Sequence, residues 1–348
     1  MTKFAPARLT SAVRADDWWD YKLLVIMLVF AATALAMRVP LSPLWPDALV
    51  LLVALSAGAI FASVVNDVTD LAEDARAGKP NAVARMPKGT PGLILAGTAA
   101  VGAVIAWAWR GDPLLASVYI AAWAAFLAYS VPPLRLKARG VWGMVAMGLG
   151  EAALPSLVAA LLCAHAAARP APRLWIAAVA LWAFCHGVRA IVWHQLGDAE
   201  ADARASVGTV VRRRGAAFAI KLAVQAAFPI ELTALAIMLV MLGSALPFVG
   251  LALYLAFIPL RMRFWKNVPV IVEPVPRHYL LMQDYYLCLL PLAVLIALAI
   301  DHPPDALALV LFLLLFPRAP LRVAYDMLRL TRRAALGIAG LSRRSRSD

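Results

Sequence analysis

Apolar residues are gathered into long runs that recur along the whole chain, separated by short polar stretches rich in proline and arginine. Each run approaches the roughly 20 residues that a helix needs to cross the hydrocarbon core of a bilayer. The pattern therefore predicts an all-α fold, a polytopic membrane helical bundle of about nine transmembrane helices. The predicted spans are 21–37, 47–65, 92–109, 114–130, 141–164, 174–194, 217–241, 245–260 and 280–299.

A shorter apolar run, 306–316, follows the ninth span and precedes a basic tail. It either re-enters the membrane or crosses it as a short tenth helix, and we favour a crossing because that returns the basic tail to the cytoplasm. The pattern divides the chain into four parts. These are a cytoplasmic N-terminal segment (1–20), a transmembrane domain (21–300), a short hydrophobic segment (301–327) and a basic tail (328–348).

The composition agrees with a membrane protein. Apolar residues make up 63% of the chain and charged residues 15%, whereas soluble domains carry roughly 25% charged residues. These values exclude a disordered chain, a coiled coil and a soluble nucleic-acid-binding domain, so we expect membrane lipids and no nucleic acid among the partners. The three cysteines lie inside apolar runs and lack the spacing of a disulfide or metal site.

The 33 Lys and Arg residues outnumber the 20 Asp and Glu residues, and they are unevenly distributed. They concentrate in the N-terminal segment and in the loops after the second, fourth, sixth and eighth spans. Because cytoplasmic loops are enriched in Lys and Arg, these segments are predicted to face the cytoplasm from the cell inner (cytoplasmic) membrane.

The first polar motif, residues 66–74, follows the second span. Three of its carboxylates fall within about 60° of one helical face: Asp67, Asp70 and Asp74. Asn66 lies one turn before Asp70, and Glu73 is predicted to point away. Clustered carboxylates are unfavourable without a cation between them, and their oxygens suit Mg²⁺. The alternative is a solvated acidic loop that pairs with Arg76 and Lys79.

The second motif follows the sixth span. Its residues His194, Asp198 and Asp202 are spaced at i, i+4 and i+8, so they form one stripe along a helix. Glu200 lies on the opposite side, and Gly208 and Thr209 follow. Alone, this pattern is also compatible with an ordinary helix end.

The third motif, Tyr129 to Lys137, follows the fourth span. Two prolines end that span and fix the turn. Arg135 and Lys137 are then held at the interface, where they are able to bind phosphate oxygens or simply anchor the loop by the positive-inside rule.

Together the three motifs resemble the signatures of the UbiA-type intramembrane prenyltransferase superfamily, in the same order, over about residues 18–300. The matching residues are Asn66, Asp67, Asp70 and Asp74, then Tyr129 through Lys137, then Asp198, Asp202, Gly208 and Thr209. The stretch from Gly78 to Arg85 departs from the Arg-rich pattern of the family, so Arg85 is not assigned to phosphate.

The resemblance implies transfer of a polyprenyl group from a polyprenyl diphosphate donor to an aromatic or other small or lipid acceptor, with release of diphosphate. It implies Mg²⁺ as cofactor and a cytoplasm-facing cavity open sideways to lipid. The implied metal ligands are Asn66, Asp67, Asp70, Asp74, Asp198 and Asp202. The implied catalytic residues are Asp67, Asp70, Asp198 and Tyr129.

Substrate binding is expected from residues near these motifs. The resemblance assigns the diphosphate to Lys79, Arg135 and Lys137, with Asn66 beside them. His194 and Gln195, ahead of the second motif, and Asp284, which opens the ninth span, are further substrate-binding candidates.

Two other functions stay open at this point. A terpene cyclase on the same scaffold would use an internal alkene in place of the acceptor. A transporter would place paired charges near the midplane, whereas both acidic motifs here lie at one face.

Two charges lie deep within predicted spans. Glu151 and Arg189 are both roughly 13–15 Å from the cytoplasmic edge at 1.5 Å per residue. Their matching depth predicts a buried ion pair, with His186 beside it, and the alternative is that Glu151 contacts the acceptor. Glu231 has no predicted role.

Overall fold

The computed structural model of the protein describes residues 13–205 and 207–344. Most described residues are helical, because a backbone in lipid must satisfy its polar groups within its own segment. Across the described ranges, eight helices are long and apolar enough to cross a membrane, or nine if one bent pair is a single span. The predicted all-α polytopic bundle is confirmed, and the protein is a multi-pass membrane protein.

The chain separates into two units, Met1–Leu242 and Gly243–Asp348. In the described part of the first unit the helices are α1 (Ala15–Met37), α2 (Ser42–Ala77), α3 (Thr90–Gly111), α4 (Pro113–Ser130), α5 (Val141–Ala166), α6 (Arg173–Gly197), α7 (Ala199–Ala205), α8 (Val210–Arg214) and α9 (Ala216–Leu242).

Local chemistry sets the ends of these helices. Asp112 caps α4, since its carboxylate accepts a hydrogen bond from the Leu115 N–H at 3.1 Å. Gly78 ends α2 in the left-handed conformation, with φ of 68°, which glycine adopts without strain. α2 therefore runs twelve residues beyond the predicted span end at 65, and it carries the whole first motif as helix.

The second unit begins with α10 (Leu246–Trp265), followed by two short strands, β1 (Val268–Val270) and β2 (His278–Leu280). The strands pair in parallel, with Val268 opposite His278. Three helices complete the unit: α11 (Tyr285–Asp301), α12 (Ala306–Leu315) and α13 (Arg318–Arg344).

The C-terminal helices differ from the predicted division of the chain. α12 is only ten residues long, and α13 continues the chain after a bend of 84°. The predicted boundary between 327 and 328 falls inside α13. Whether 306–316 crosses the membrane stays a prediction, and the last four residues of the predicted tail lie outside the described residues.

A network of charged groups holds the second unit together. Asp284, at the start of α11, pairs with Arg261 of α10 and with Arg322 of α13, the latter at 2.8 Å. Arg261 is buried and also faces Asp326 at 3.7 Å. Asp284 thus contacts two arginines within its own unit, and its predicted part in substrate binding stays a prediction.

The predicted pair of Glu151 and Arg189 is wrong. Arg189 of α6 instead forms two hydrogen bonds with Glu231 of α9, at 2.8 and 2.9 Å, and both side chains are buried. His186, one turn earlier, lies 3.7 Å from Glu231, so the histidine was placed correctly. Glu151 pairs with Lys22 of α1. Equal depth could not identify the partner, because α6 packs against both α9 and the turn of α5 that carries Glu151, and the Arg189 side chain turns toward α9.

Breaking the Arg189–Glu231 pair should destabilise the first unit. Removing one partner of a buried pair leaves an uncompensated charge and costs about 3–5 kcal/mol. Arg189→Gln and Glu231→Gln should therefore each lower the thermal unfolding temperature in detergent, and the double variant should lose less than the sum of the two. Glu200→Gln, whose side chain is 95% exposed, serves as the control. Strictly additive losses would contradict the pairing.

Candidate active site

The first acidic motif occupies the end of a helix that is longer than a membrane is thick. α2 contains 36 residues, or about 54 Å at 1.5 Å per residue, against a hydrocarbon core of roughly 30 Å. Its last turns therefore project beyond the hydrocarbon, and their carboxylates are able to meet water and ions.

Asp70 lies at the centre of a cluster of charges. Its Oδ1 pairs with Lys137 and accepts a hydrogen bond from Arg135 at 3.0 Å. Arg135 reaches Glu73 at 2.7 Å, and Lys137 also donates to Asn66 Oδ1 at 3.1 Å. The third motif therefore folds back onto the first, as the sequence predicted for Arg135 and Lys137.

The prediction that Glu73 points away is wrong, because Glu73 lines the same cavity as Asp70 and Asp74. At 100° per residue, Glu73 lies about 60° from Asp70 around the helix, as close as Asp67 does on the other side. The cavity faces the arc that includes Asn66 and Glu73, and Asp67 falls at its edge.

Asp67 is buried and turned toward neighbouring protein groups. Its two oxygens accept hydrogen bonds from Arg14, at 3.3 Å, and from the backbone N–H of Ala82, at 3.2 Å. Asn81 links the same turn to the helix, since its amide donates at 2.8 Å both to the Asp67 carbonyl and to Asp74 Oδ2. Asp67 does not line the cavity, and its role as a metal ligand stays a prediction.

The second motif approaches the first through one lysine. Asp198 follows the end of α6 and Asp202 lies on α7. Lys79, in the loop after α2, reaches Asp198 Oδ2 at 2.9 Å and Asp202 Oδ1 at 3.9 Å. The two acidic motifs, 131 residues apart in sequence, are thus joined by a cation that follows the first motif.

The loop after α4 and the loop after α7 touch at two glycines. The Gly140 N–H donates to the Gly208 carbonyl at 2.9 Å, and a Cβ on Gly208 would lie 2.5 Å from the Ala138 carbonyl oxygen. Gln195 accepts from the Val210 N–H at 3.1 Å, and Thr209 caps α8. Through these contacts Gln195, Gly208 and Thr209 hold the second and third motifs together.

The three motifs enclose one cavity of about 170 Å³. Its lining combines acidic, basic and aromatic side chains with a few apolar ones. The lining residues are Asn66, Asp70, Glu73, Asp74, Ala77, Lys79, Tyr129, Lys137, Ile191, His194, Gln195, Asp198, Asp202, Val207 and Thr209. Most predicted site residues therefore meet here. Asp67 lies outside the lining, Arg135 contacts Asp70 and Glu73 of the lining, and Arg85 is exposed.

Burial changes the acid–base properties of two groups outside the spans. Burial lowers the pKa of Lys137, although the neighbouring Asp70 opposes this effect. Burial likewise raises the pKa of Asp202, against the opposing effects of Lys79 and Thr209. Both shifts have the sign expected when a charged group is taken out of water. The Lys137 and Asp202 side chains are only 8% and 13% exposed, in agreement with these directions.

The donor atoms around the cavity suit a hard divalent cation, since carboxylate and amide oxygens are the ligands that Mg²⁺ prefers. Among residues 13–205 and 207–344, no three Asp, Glu, His or Cys side chains are clustered closely enough to hold a metal as they stand. The carboxylate and amide side chains that converge here are suitable ligands for a metal. In this structure lysines form ion pairs with two of the carboxylates, Asp70 and Asp198.

Four contributors to the site were missed or misplaced by the sequence analysis. They are Glu73, Asn81, Arg14 and Ser130, whose hydroxyl lies 3.3 Å from Asn66 Oδ1. The helical angle between Glu73 and Asp70 was a usable signal, because neighbouring positions on the arc face the same space. No sequence signal links Arg14 to Asp67, since 53 residues separate them.

Gly208 should not tolerate a side chain. A Cβ there would overlap the Ala138 carbonyl, and overpacking of this kind costs about 1–3 kcal/mol. Gly208→Ala should therefore lower the thermal unfolding temperature. Gly197→Ala is the matched control, since a Cβ at Gly197 meets nothing within 4 Å. If both variants had the same thermal unfolding temperature, the two loops would not be held in contact at Gly208.

Comparison with known proteins agrees with this arrangement. The family model described as the UbiA prenyltransferase family matches residues 26–270, which is more than half of the 348 residues. A search of curated protein sequences finds no match.

Solved structures share the fold at low sequence identity. A UbiA homologue from Archaeoglobus fulgidus bound to GPP and Mg²⁺ superposes with a TM-score of 0.57 at 14% identity, covering 86% of this chain and 99% of that one. The same homologue bound to DMAPP and Mg²⁺ gives 0.56 at 13%, covering 84% and 99%. From the family match, supported by this fold, the chain is a member of the UbiA prenyltransferase family.

Proposed function

We propose that the protein is an Mg²⁺-dependent intramembrane prenyltransferase, which moves a polyprenyl group from a prenyl diphosphate to an acceptor. The observation that carries this proposal is the single cavity lined by both acidic motifs together with Lys79 and Lys137. Such a mixture of carboxylates and cations suits a metal–diphosphate complex, in which the metal takes the carboxylates and the lysines take phosphate oxygens. The Archaeoglobus homologue, bound to GPP or DMAPP with Mg²⁺, supports this assignment.

The chain's basic residues would hold the diphosphate. Lys79, Lys137 and Arg135 all lie next to carboxylates of the two motifs. If those carboxylates were to hold a metal, the three cations would be available to phosphate oxygens. Arg135 has a positive φ of 37°, an uncommon conformation for a residue with a side chain, and it carries the guanidinium back toward α2.

The metal ligands of the proposed enzyme come from both motifs: Asn66, Asp67, Asp70, Asp74, Asp198 and Asp202. Mg²⁺ held by these residues would supply the positive charge that neutralises the diphosphate leaving group. Asp70 and Asp198 are the central ligands, since each faces the cavity and each is at present paired with a lysine.

The reacting carbon would lie on the inner side of the diphosphate. Tyr129, which lines the cavity from α4, provides an aromatic face toward the allylic carbon. His194 and Gln195 line the α6 side. The electron-poor carbon would have to meet the acceptor away from water. The polyprenyl chain itself stays in lipid.

The proposal includes the orientation of the protein and the division of the chain. Both acidic motifs face the cytoplasm of the inner membrane, because the most basic loops accompany them. The catalytic domain corresponds to residues 21–300, preceded by the cytoplasmic segment 1–20 and followed by the segments 301–327 and 328–348.

Loss of a central carboxylate should abolish transfer. Asp70→Asn and Asp198→Asn should each reduce turnover by about 10²–10³-fold, the cost of removing one electrostatic stabiliser of developing charge. Diphosphate release from geranyl diphosphate in native membranes measures this directly. EDTA should stop release in the wild type, and added Mg²⁺ should restore it. Glu200→Gln should retain activity, and an equal loss there would contradict the assignment.

Accessibility of single cysteines tests the orientation. The native Cys163, Cys185 and Cys288 are buried, so added cysteines report above a low background. In intact cells a membrane-impermeant maleimide should label Arg110→Cys, in the last turn of α3. It should label Glu200→Cys only after the cells are opened. The reverse pattern would place the active site outside the cytoplasm.

A further inference from the structure

The C-terminal helix α13, whose side chains are described over residues 318–333, has three faces of different character. The first face is buried within the second unit. Ala319, Val323 and Leu330 belong to it, and the helix packs there against α10 and the first turns of α11. Because this face fixes α13 to its own unit, the other two faces point in defined directions.

The second face is apolar and uncovered. Leu321 and Leu328 are 67% and 69% exposed, and Ala324 is exposed between them. At 100° per residue the three positions lie within about 60° of each other. Apolar side chains gathered on one side of a helix avoid water. In a membrane protein the surface that suits this face is the acyl chains of the bilayer.

The third face adjoins the second and is basic. Over an arc of about 100° it carries five exposed arginines: Arg318, Arg322, Arg329, Arg332 and Arg333. The one acid of this stretch, Asp326, lies beside the arc and faces Arg261 of α10 at 3.7 Å. Tyr325 lies within the arc, with the Arg329 guanidinium 5.3 Å from its ring. The outward charge of α13 is therefore positive, with an aromatic residue of the type enriched at membrane–water interfaces.

The direction of α13 agrees with a position along the membrane surface. The preceding helix, α12, consists of ten apolar residues and is predicted to enter the bilayer. α13 follows it after a bend of 84°. A helix almost perpendicular to one that enters the membrane runs parallel to the surface, where Arg-rich amphipathic helices lie in the plane of the headgroups.

We propose that α13 is an interfacial helix whose basic face binds the phosphate groups of anionic phospholipids in the surrounding bilayer. Arginine suits this role, since its planar guanidinium donates two parallel hydrogen bonds to phosphate oxygens. The surface is separate from the proposed diphosphate site, because every lining residue of that cavity belongs to the first unit. The inference is therefore independent of the proposed prenyl transfer.

The arrangement of the faces favours lipid over a soluble anion. A soluble anion would match the arginines but leave Leu321 and Leu328 in water. A bilayer presents phosphates and acyl chains next to each other, in the order in which the basic and apolar faces of α13 follow each other around the helix. Long arginine side chains are able to reach the headgroups while the apolar face lies deeper.

Quenching by brominated lipids tests the contact in the full-length protein. Leu328→Cys is labelled with a bimane fluorophore, above the low background of the buried native cysteines, and placed in nanodiscs of equal parts phosphatidylcholine and phosphatidylglycerol. Bromine is carried on the acyl chains of one lipid or of the other, so the overall composition is constant. Brominated phosphatidylglycerol should quench about twofold more strongly or better, because arginines near the surface attract anionic lipid.

The preference should decrease as the salt concentration rises, since salt screens exposed charges. Equal quenching by the two lipids would overturn the proposed headgroup binding. Absence of quenching by either lipid would place this face away from the bilayer, free for a soluble protein partner, and would overturn the proposal as well.

Variants in the labelled protein assign the preference to the basic face. Arg329→Gln combined with Arg332→Gln should lose most of the preference and retain quenching by both lipids. Arg85→Gln combined with Lys88→Gln removes the same charge from exposed residues of the loop after α2 and should keep the preference. An unchanged preference in the α13 variant, or an equal loss in the control, would refute the assignment.

Thermal unfolding establishes that each variant is folded. If the α13 double variant is not folded, the comparison of the two lipids and its salt dependence in the Leu328→Cys protein still decide.

Discussion

The site depends on how five acidic side chains are kept close together at one edge of a membrane protein. Asp70, Glu73, Asp74, Asp198 and Asp202 all line a cavity of about 170 Å³, and their mutual repulsion would drive the helix ends apart if nothing opposed it. Lysine and arginine from two loops supply the opposition. The geometry of those loops therefore matters as much as the spacing of the acids.

The cations do not act equally on the two motifs. In the first motif, Asp70 pairs with both Lys137 and Arg135, whose side chains are largely covered by the protein. In the second motif, the Asp198 side chain is 58% exposed, and Lys79 is the one cation paired with it among the described residues. The first motif thus belongs to a long, well-anchored helix, and the second follows a helix end. A ligand with several negative charges would meet one firmly held half of the site and one that is more easily adjusted.

The features of the structure that follow from regular periodicity could be predicted from the sequence. Apolar runs located the eight helices of membrane length among the described residues, whereas the predicted ninth span, 280–299, corresponds to the shorter helix α11. The spacing of Asp70, Asp74, Asp198 and Asp202 placed four carboxylates at one cavity. The charge partners were harder to predict, because a partner is chosen by tertiary packing. Arg189 pairs with Glu231 of α9 and not with Glu151 of α5, although α6 packs against both helices. Glu73 joined the site because Arg135, in a left-handed conformation, turns back toward it.

The contact between Gly140 and Gly208 constrains how the chain is able to vary. Surface loops usually accept insertions at little thermodynamic cost. Here the loop after α4 and the loop after α7 are joined backbone to backbone, so a residue added to one of them would shift the register of the other. It would displace Lys137 from Asp70 and Asp202 from Lys79 together. The two loops therefore behave as a single part with a fixed length, although 67 residues lie between their joined ends at Gly140 and Gly208.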